Sequence, residues 1–254
     1  PLHRHVQRRP RRSTMPLVAG IIPTYGQFDY ARIATESFLR SESDSVAIVI
    51  DDASPDWNDR WLEGLDETRI IQHIFDENKG VTRSWNWGIK RAHDIKAEFV
   101  VVGNSDLLFP ENWFAPVRKA FRYGWEFLGP LTNAPGDRRK QKINRHVKDY
   151  ELTDDPEYIK KLVDRLPKYS SKNVIRERIN GYCMVGRPKS WMAYGMFNEK
   201  RHPMTHQESS FFRNVSRSGG GNNIGIAMHS FVFHYRSVSK GLKRGSLDEG
   251  NFRP

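Results

Sequence analysis

Two short polar segments that could do chemistry each stand directly after an apolar run. Asp51 and Asp52 follow one run, and Asn104-Ser105-Asp106 follows another. Carboxylates at the end of a buried strand can accept hydrogen bonds from a ribose or a base. A carboxylate such as Asp106 can also hold a hard divalent cation, which prefers oxygen ligands. Both segments would make good turns with side-chain caps as well, so their positions alone leave two interpretations open.

Two further groups late in the chain have side chains of a catalytic or metal-binding type. Gln207 and Glu208 begin a predicted helix, where the helix dipole favours an acid. The same Glu208 carboxylate could act as a general base if it faces a cleft. His234 ends a predicted strand and could bind a metal, although a structural role fits an isolated histidine equally.

The predicted order of elements suggests how these groups come together. Apolar runs and helical spacing alternate along the first half of the chain, which is typical of a parallel sheet covered by helices. Strands are predicted at 17–22, 46–50, 70–75 and 98–102, and helices at 29–40 (capped by Asp29), 59–65, 82–93 and 110–123. Because parallel strands end at one edge of the sheet, we expect residues 23–25, 51–52 and 104–106 to meet there.

The second half of the chain is more basic and less regular. Strands are predicted at 182–185, 224–228 and 231–234, and helices at 154–166, 188–194 and 207–216. The stretch from Arg138 to Lys148, called the basic segment below, is either a solvated loop or a clamp for an anionic donor or acceptor.

Composition excludes several classes of protein. The chain has 254 residues, a formal net charge of +11 and one cysteine, Cys183. One cysteine excludes an internal disulfide framework and a four-cysteine zinc site. We expect its thiol to be inert within an apolar strand. No apolar run approaches the roughly 18 residues of a membrane helix, so we expect a cytoplasmic protein, either free or peripheral at a membrane.

Charge is concentrated at the chain ends. Residues 1–15 contain five arginines and no acid. We expect 1–15 to be a disordered basic arm, with Met15 as a natural start, and 238–254 to be a flexible basic tail. The apolar run after the arm is too short for a secretory signal.

Taken in order, seven motifs resemble family 2 glycosyltransferases with the GT-A fold. The resemblance extends over residues 16–237. The segments that carry it are Leu17–Tyr25 (opening strand), Val49–Asp56 (V-D-D-x-S-x-D), Asn78-Lys79-Gly80 with Asn86 and Gly88, Phe99–Asp106 (D-x-D), Asn180–Val185 with Gly195–Glu199, Thr205–Glu208 (the E-D pair) and Phe233-His234-Tyr235.

This resemblance implies an α/β protein of the GT-A type, with a Rossmann-like, mostly parallel central sheet flanked by helices and an acceptor-side α+β extension. Residues 16–130 would bind the nucleotide sugar and 131–237 the acceptor. The implied reaction is inverting transfer of a sugar from a nucleotide diphosphate sugar, with a UDP-sugar favoured, to a carbohydrate or other hydroxyl acceptor.

The resemblance also assigns roles to residues. Glu208 would be the catalytic base, and Asp106 with His234 would bind Mn²⁺ or Mg²⁺. Gly181, Tyr182 and Gln207 would lie on the acceptor side. Nucleotide-binding residues would be Pro23, Thr24, Tyr25, Asp51, Asp52, Asn78, Gly80, Asn86 and Ser105.

Four residues depart from the family pattern. Asn104 replaces the first acid of the metal motif, and Gln207-Glu208 replaces the Glu-Asp pair. Trp85 stands where many members have arginine. These differences concern the strength of metal binding and the geometry of the acceptor.

Two other functions are compatible with parts of the sequence. The charge of +11 and the basic arm would suit a nucleic-acid-binding protein, or a glycosyltransferase that acts on nucleic acid. The basic residues lack the interleaved aromatic side chains of a stacking platform. A nucleotidyltransferase ranks lower, because residues 23–27 contain neither a glycine-rich loop nor a basic residue. Oligomeric state is left open.

Overall fold

A computed structural model describes residues 18–168, 170 and 173–235. Leu17, the predicted basic arm and the predicted basic tail lie outside the described residues. The first half contains β1 (Val18–Thr24), α1 (Phe28–Ser41), β2 (Ser45–Asp51), β3 (Ile70–Ile74), α2 (Val81–Asp94), β4 (Phe99–Gly103), β5 (Leu107–Leu108), α3 (Phe114–Phe121) and β6 (Phe127–Leu131). The second half contains α4 (Pro156–Arg165), β7 (Val174–Arg176), β8 (Cys183–Gly186), α5 (Pro188–Ala193), α6 (Gln207–Arg217), β9 (Ile224–Phe231) and β10 (Phe233–His234).

Eight strands form the central sheet, in the order β3-β2-β1-β4-β8-β6-β9-β7. β1, β2, β3 and β4 are parallel to one another, and β6 is parallel to β9. β8 runs antiparallel to both β4 and β6, and β7 is antiparallel to β9. The predicted mostly parallel sheet flanked by helices is therefore confirmed.

β1 is buried along its whole length, which shows that both faces of the sheet are covered at this strand. Central strands of a parallel sheet are apolar on both sides for this reason. Ala19 and Ile21 belong to one core together with Trp85 of α2. Val18 and Ile22 belong to the other core, with Phe38 of α1. The alternation of side chains along one strand thus supplies both hydrophobic layers.

Several predicted boundaries were wrong, for physical reasons that are local. The helix predicted at 110–123 is α3, which begins at Phe114 and not at Pro110. It follows Asn112, whose φ is 62°. Asp29 lies inside α1 and does not cap it, since the residue before the helix is Gln27. The break predicted at residues 229–230 lies at Val232 instead, because β9 continues to Phe231 and β10 begins at Phe233.

β6 was missed altogether, although it lies inside the sheet. Its sequence contains Gly129 and Pro130, which normally argue against a central strand. Pairing of β6 with β9 changes register between Pro130 and Leu131, so an irregularity accommodates the proline. Tertiary packing therefore overrides the local signal.

Cys183 lies in β8 and is fully buried, as expected for an inert thiol. Burial raises the pKa of this thiol, which keeps it in the unreactive protonated form. Within the described ranges, the structure contains no helix with the length and apolar character needed to cross a membrane.

Candidate active site

The carboxyl ends of β1, β2 and β4 lie at one edge of the sheet, as the strand order requires. In the register of these strands, Thr24 is the neighbour of Asp51. The backbone N–H of Asp52 donates to the carbonyl of Thr24 at 2.9 Å. Two of the polar segments are thus in direct contact, and the segment after β4 continues the same edge.

Asp51 uses both carboxylate oxygens within the loop that follows β2. It is fully buried, and it accepts from the backbone N–H of Ser54 at 2.7 Å and from the Ser54 hydroxyl. The Ser54 hydroxyl also accepts from the N–H of Gly26 at 2.7 Å. The turn-capping interpretation thus describes Asp51, which joins the loops after β1 and β2.

Asp52 anchors the loop that leads into α2. Its carboxylate accepts from the backbone N–H groups of Lys79 at 3.2 Å and Gly80 at 2.6 Å. The Arg83 guanidinium donates to it at 3.1 Å and lies over the ring of Phe75. These donors fix the backbone beside the edge of the sheet.

The remaining residues predicted to bind the nucleotide differ in accessibility. Tyr25 is 54% exposed at the end of β1. Asn78 is exposed and Ser105 is half-buried, whereas Pro23 and Thr24 are buried. The hydroxyl of Thr24 donates to the carbonyl of Gly26 at 2.7 Å. Tyr25, Asn78 and Ser105 are thus the members of this group with side chains that a ligand can reach.

A loop of residues 198–206, called the α2-docked loop below, closes the start of α2. The backbone N–H of Thr82 donates to the carbonyl of Pro203 at 3.1 Å, and the Thr82 hydroxyl donates to His202. The first of these bonds satisfies one of the backbone N–H groups that have no partner within the first turn of a helix. The second half of the chain is thereby joined to α2 in the first half.

Asn86 strengthens the same junction. Its side chain donates to the carbonyl of Phe197 at 2.9 Å and to the Glu199 carboxylate at 2.7 Å, and it accepts from the N–H of Phe197 at 3.1 Å. Because Asn86 is only 4% exposed and its amide is fully used, the geometry supports a positioning role in place of the expected nucleotide contact.

Gly80 is required at this junction by two independent constraints. Its φ is +91°, and a Cβ at this position would lie 2.5 Å from the carbonyl oxygen of Pro203. We expect Gly80→Ala to lower the free energy of unfolding in urea by about 2–4 kcal/mol, from backbone strain and overpacking together. Gly124→Ala is the matched control, because its φ is +89° and nothing lies within 4 Å of the added Cβ. Equal losses in both variants would show that the contact with Pro203 is unimportant.

His234 is held in one orientation by its neighbours. The Asn133 side chain accepts from the His234 N–H at 2.8 Å and donates to its carbonyl at 2.9 Å. The imidazole stacks on Tyr182, with ring centroids 5.4 Å apart. Sequence analysis missed Asn133, because Thr132-Asn133-Ala134 has the composition of an ordinary turn.

The contacts of the imidazole distinguish its two ring nitrogens. Nδ1 of His234 lies 3.1 Å from the carbonyl oxygen of Ala134, so a proton on Nδ1 can be donated there. In that neutral tautomer Nε2 carries a lone pair. This atom lies 3.3 Å from Oδ1 of Asp106 and 3.2 Å from the side-chain nitrogen of Asn104.

The pair Asp106–His234 fits a divalent cation. Oδ1 of Asp106 is buried and has no hydrogen-bond donor, so two electron-pair donors face each other. Neighbouring ligands of an octahedral cation at about 2.0–2.1 Å lie roughly 3 Å apart, close to the separation observed. No group of three or more His, Cys, Asp or Glu side chains with this capacity occurs among the described residues. The other ligands would therefore come from substrate oxygens or water.

Glu208 lies in the first turn of α6 and is close to Gly181. A Cβ on Gly181 would lie 3.3 Å from Cγ of Glu208. The next residue, Tyr182, stacks on His234 and accepts from the backbone N–H of Asn104 at 3.0 Å. Contacts thus connect the carboxylate at the start of α6 with the pair formed by Asp106 and His234.

The other two residues predicted for the acceptor side, Tyr182 and Gln207, are buried. Tyr182 is 1% exposed and its hydroxyl donates to the carbonyl of Pro130, so its geometry supports a role beneath His234 in place of direct contact with an acceptor. Gln207 is 5% exposed, and its side-chain nitrogen lies 3.4 Å from the carbonyl of Met204. Trp85 is also a core residue and donates to the carbonyl of Gly103 at 2.7 Å.

Comparisons with known proteins identify the family and the fold of the chain. The model of glycosyl transferase family 2 matches residues 21–188, which include Asp52 and Asp106. Glu208 and His234 follow the matched range. No curated protein sequence matches the chain significantly.

Solved structures with the same fold are glycosyltransferases of the GT-A type. TarS 1–349 of S. aureus is 14% identical, with a TM-score of 0.57 over 87% of this chain and 60% of its own. GalNAc-T7, solved with UDP, GalNAc and Mn²⁺, is 13% identical, with a TM-score of 0.60 over 87% of this chain and 43% of its own. The mannosyltransferase PcManGT of Pyrobaculum calidifontis, solved with GDP-Man and Mn²⁺, is 15% identical, with a TM-score of 0.54 over 85% of this chain and 58% of its own. The chain thus spans 43–60% of the length of these three proteins.

Proposed function

Because the chain belongs to glycosyl transferase family 2, we propose that it transfers a sugar from a nucleotide diphosphate sugar to an acceptor hydroxyl, with inversion at the anomeric carbon. The observation that carries this proposal is the buried pair of Asp106 and His234, in which a carboxylate oxygen without a donor lies 3.3 Å from an imidazole nitrogen. We assign Mn²⁺ or Mg²⁺ to this pair. A cation bound there would stabilise the negative charge that develops on the leaving diphosphate.

Glu208 is the proposed general base. As the acceptor oxygen forms its bond to the anomeric carbon, the hydroxyl proton passes to the Glu208 carboxylate. The bond between the anomeric carbon and the phosphate oxygen breaks, and its electron pair leaves with the nucleoside diphosphate. One direct displacement inverts the configuration and needs no enzyme nucleophile, which agrees with the buried, protonated Cys183.

Tyr25, Asn78 and Ser105 are proposed to contact the nucleotide directly, since their side chains are accessible at the edge of the sheet. Pro23, Thr24, Asp51, Asp52 and Gly80 are proposed to shape this part of the site through the loop contacts described above. The structure of GalNAc-T7 contains UDP and that of PcManGT contains GDP-Man. We keep a UDP-sugar as the first donor to test.

A thermal-shift panel tests the donor and the metal together. UDP-, GDP-, CMP- and dTDP-sugars are each measured with Mn²⁺ and with excess EDTA. A ligand that binds only the folded state raises the melting temperature with occupancy. We expect one nucleotide class to stabilise the protein in Mn²⁺ and to lose that effect in EDTA. If none of the donors raises the melting temperature, the proposed function is contradicted.

Gly181→Ala should impair transfer more than donor binding. The added Cβ would press on Glu208, whose Cγ and Cδ lie 3.3 and 3.4 Å away, and the side chain must shift by a few tenths of an ångström. We expect kcat to fall by about tenfold, because a small misplacement of a catalytic group is costly. Nucleotide affinity in Mn²⁺ should stay at the wild-type value, and an equal loss of affinity would place the effect at the donor site instead.

A further inference from the structure

The basic segment forms an exposed, positively charged rim. Residues 138–148 contain six lysines and arginines and no acid. Two 3-10 turns, at 139–141 and 143–145, fold the segment. The side chains of Gln141, Ile143 and Val147 are buried, which directs the charged residues between them to the surface. The exposed cations are Arg139, Lys140, Lys142, Arg145 and Lys148.

Most of this charge is not neutralised by the protein. Lys140 pairs with Glu177 at 2.9 Å, and Arg138 lies 3.8 Å from Asp137. Within the ranges that the structure describes, no ion pair involves the other four cations, Arg139, Lys142, Arg145 and Lys148. Four unneutralised cations within ten residues repel one another and attract anions to this surface.

Hydrogen bonds fasten the segment to the acceptor side of the site. Thr132 donates its N–H to the carbonyl of Gln141 at 2.9 Å, and the N–H of Ile143 donates to Thr132 at 2.8 Å. The side-chain oxygen of Gln141 accepts from the N–H of Asn180 at 2.7 Å. Asn180 precedes Gly181, which borders Glu208. A chain of contacts through Gln141, Asn180 and Gly181 therefore connects the basic segment with the proposed base, Glu208.

Resting on the proposed transfer reaction, we propose that the basic segment binds the acceptor, and that the acceptor is an acidic glycan chain with repeated negative charges. Its hydroxyls would supply the attacking group at Glu208, while neighbouring acidic units would pair with Arg139, Lys142, Arg145 and Lys148. Nucleic acid fits the segment less well, because residues 138–148 include no Phe, Tyr or Trp on which bases could stack.

The test compares three probes by fluorescence anisotropy: a hexameric oligogalacturonate, its neutral methyl ester, and single-stranded DNA of equal charge. The test variant replaces Arg139, Lys142, Arg145 and Lys148 by Gln. The control variant replaces Lys90, Lys161, Lys189 and Arg213, four exposed cations on α2, α4, α5 and α6, by Gln. Both variants lose the same charge, so a general effect of net charge cancels.

We expect the wild type to bind the oligogalacturonate more tightly than the methyl ester or the DNA. Each exposed ionic contact contributes only a modest factor to binding. Because the test variant removes four of them together, it should bind the oligogalacturonate at least about tenfold more weakly. The control variant should stay within about twofold of the wild type. Equal losses in the two variants, no preference for the acidic glycan over its ester, or tighter binding of DNA would each overturn the proposal.

Nucleotide binding in Mn²⁺, measured by thermal shift on the same variants, separates this inference from the proposed function. We expect it to be unchanged in both variants, since within the described residues no side-chain hydrogen bond or ion pair joins any of the eight substituted residues to a residue assigned to the nucleotide or the cation. If the wild type binds the nucleotide but shows no preference for the acidic glycan, the acceptor assignment alone is overturned. Absence of nucleotide binding in the wild type would overturn the transfer reaction and, with it, this inference.

Discussion

Glu208→Gln is expected to lower kcat by about 10²–10⁴-fold, the usual contribution of a general base. The amide has nearly the same shape as the carboxylate but cannot take the acceptor proton at neutral pH. Gly181 and the start of α6 should keep their positions, so nucleotide affinity in Mn²⁺ should remain within about twofold of the wild type, because a group that acts only in the transition state adds little to ground-state binding. The measurements are single-turnover transfer and thermal shift with the donor.

Glu157→Gln provides the matched control for this change. Glu157 is an acid in the first turn of α4, as Glu208 is in α6. Both substitutions therefore remove a favourable interaction with a helix dipole, worth about 0.3–1 kcal/mol at an exposed site. Only Glu208→Gln should affect transfer. Full turnover by Glu208→Gln would remove this residue from the mechanism.

Asp106→Asn should abolish the effect of Mn²⁺ on nucleotide binding. The substitution keeps the size of the side chain but replaces one carboxylate oxygen by a donor or a weaker ligand, beside Nε2 of His234 at 3.3 Å. We expect the affinity for the nucleotide in Mn²⁺ to fall by at least about tenfold, since even outer-shell changes at metal sites cost about 10–100-fold in metal affinity. Titration with Mn²⁺ and EDTA measures the loss.

Asp44→Asn is the control for the metal prediction. Asp44 is half-buried at the opposite edge of the sheet, before β2, and its Oδ2 also has no hydrogen-bond donor. This variant should bind the nucleotide and Mn²⁺ as the wild type does. Nucleotide binding that is insensitive to EDTA in the wild type would instead argue for a site that works without a metal.

Sequence patterns predicted β1 to β4 in the first half of the chain because the signals for these strands are local. The run at 17–22 became β1, and the acidic residues after β2 and β4 lie at the sheet edge where strand order places them. Each of these predictions depends only on an apolar run and the turn that follows it. The motifs on this edge also lie inside the family match, which covers residues 21–188.

Contacts between distant segments could not be predicted in the same way. Asn86 resembles an exposed motif residue in sequence, yet it binds the backbone of Phe197, 111 residues away. Asn133 has no local signal, and its importance comes from two hydrogen bonds to His234. Such roles depend on which loops the folded chain brings together, and a single sequence contains no direct record of that.

The α2-docked loop has an evolutionary consequence. The N–H of Gly80 donates to Asp52, and the carbonyl oxygen of Pro203 leaves no room for a Cβ at position 80. A change in the length of either loop alone would break this contact, even though more than a hundred residues separate the two in sequence. In descendants of a common ancestor, a glycine at position 80 and the length of the 198–206 loop should therefore be inherited together, and insertions should accumulate elsewhere on the surface.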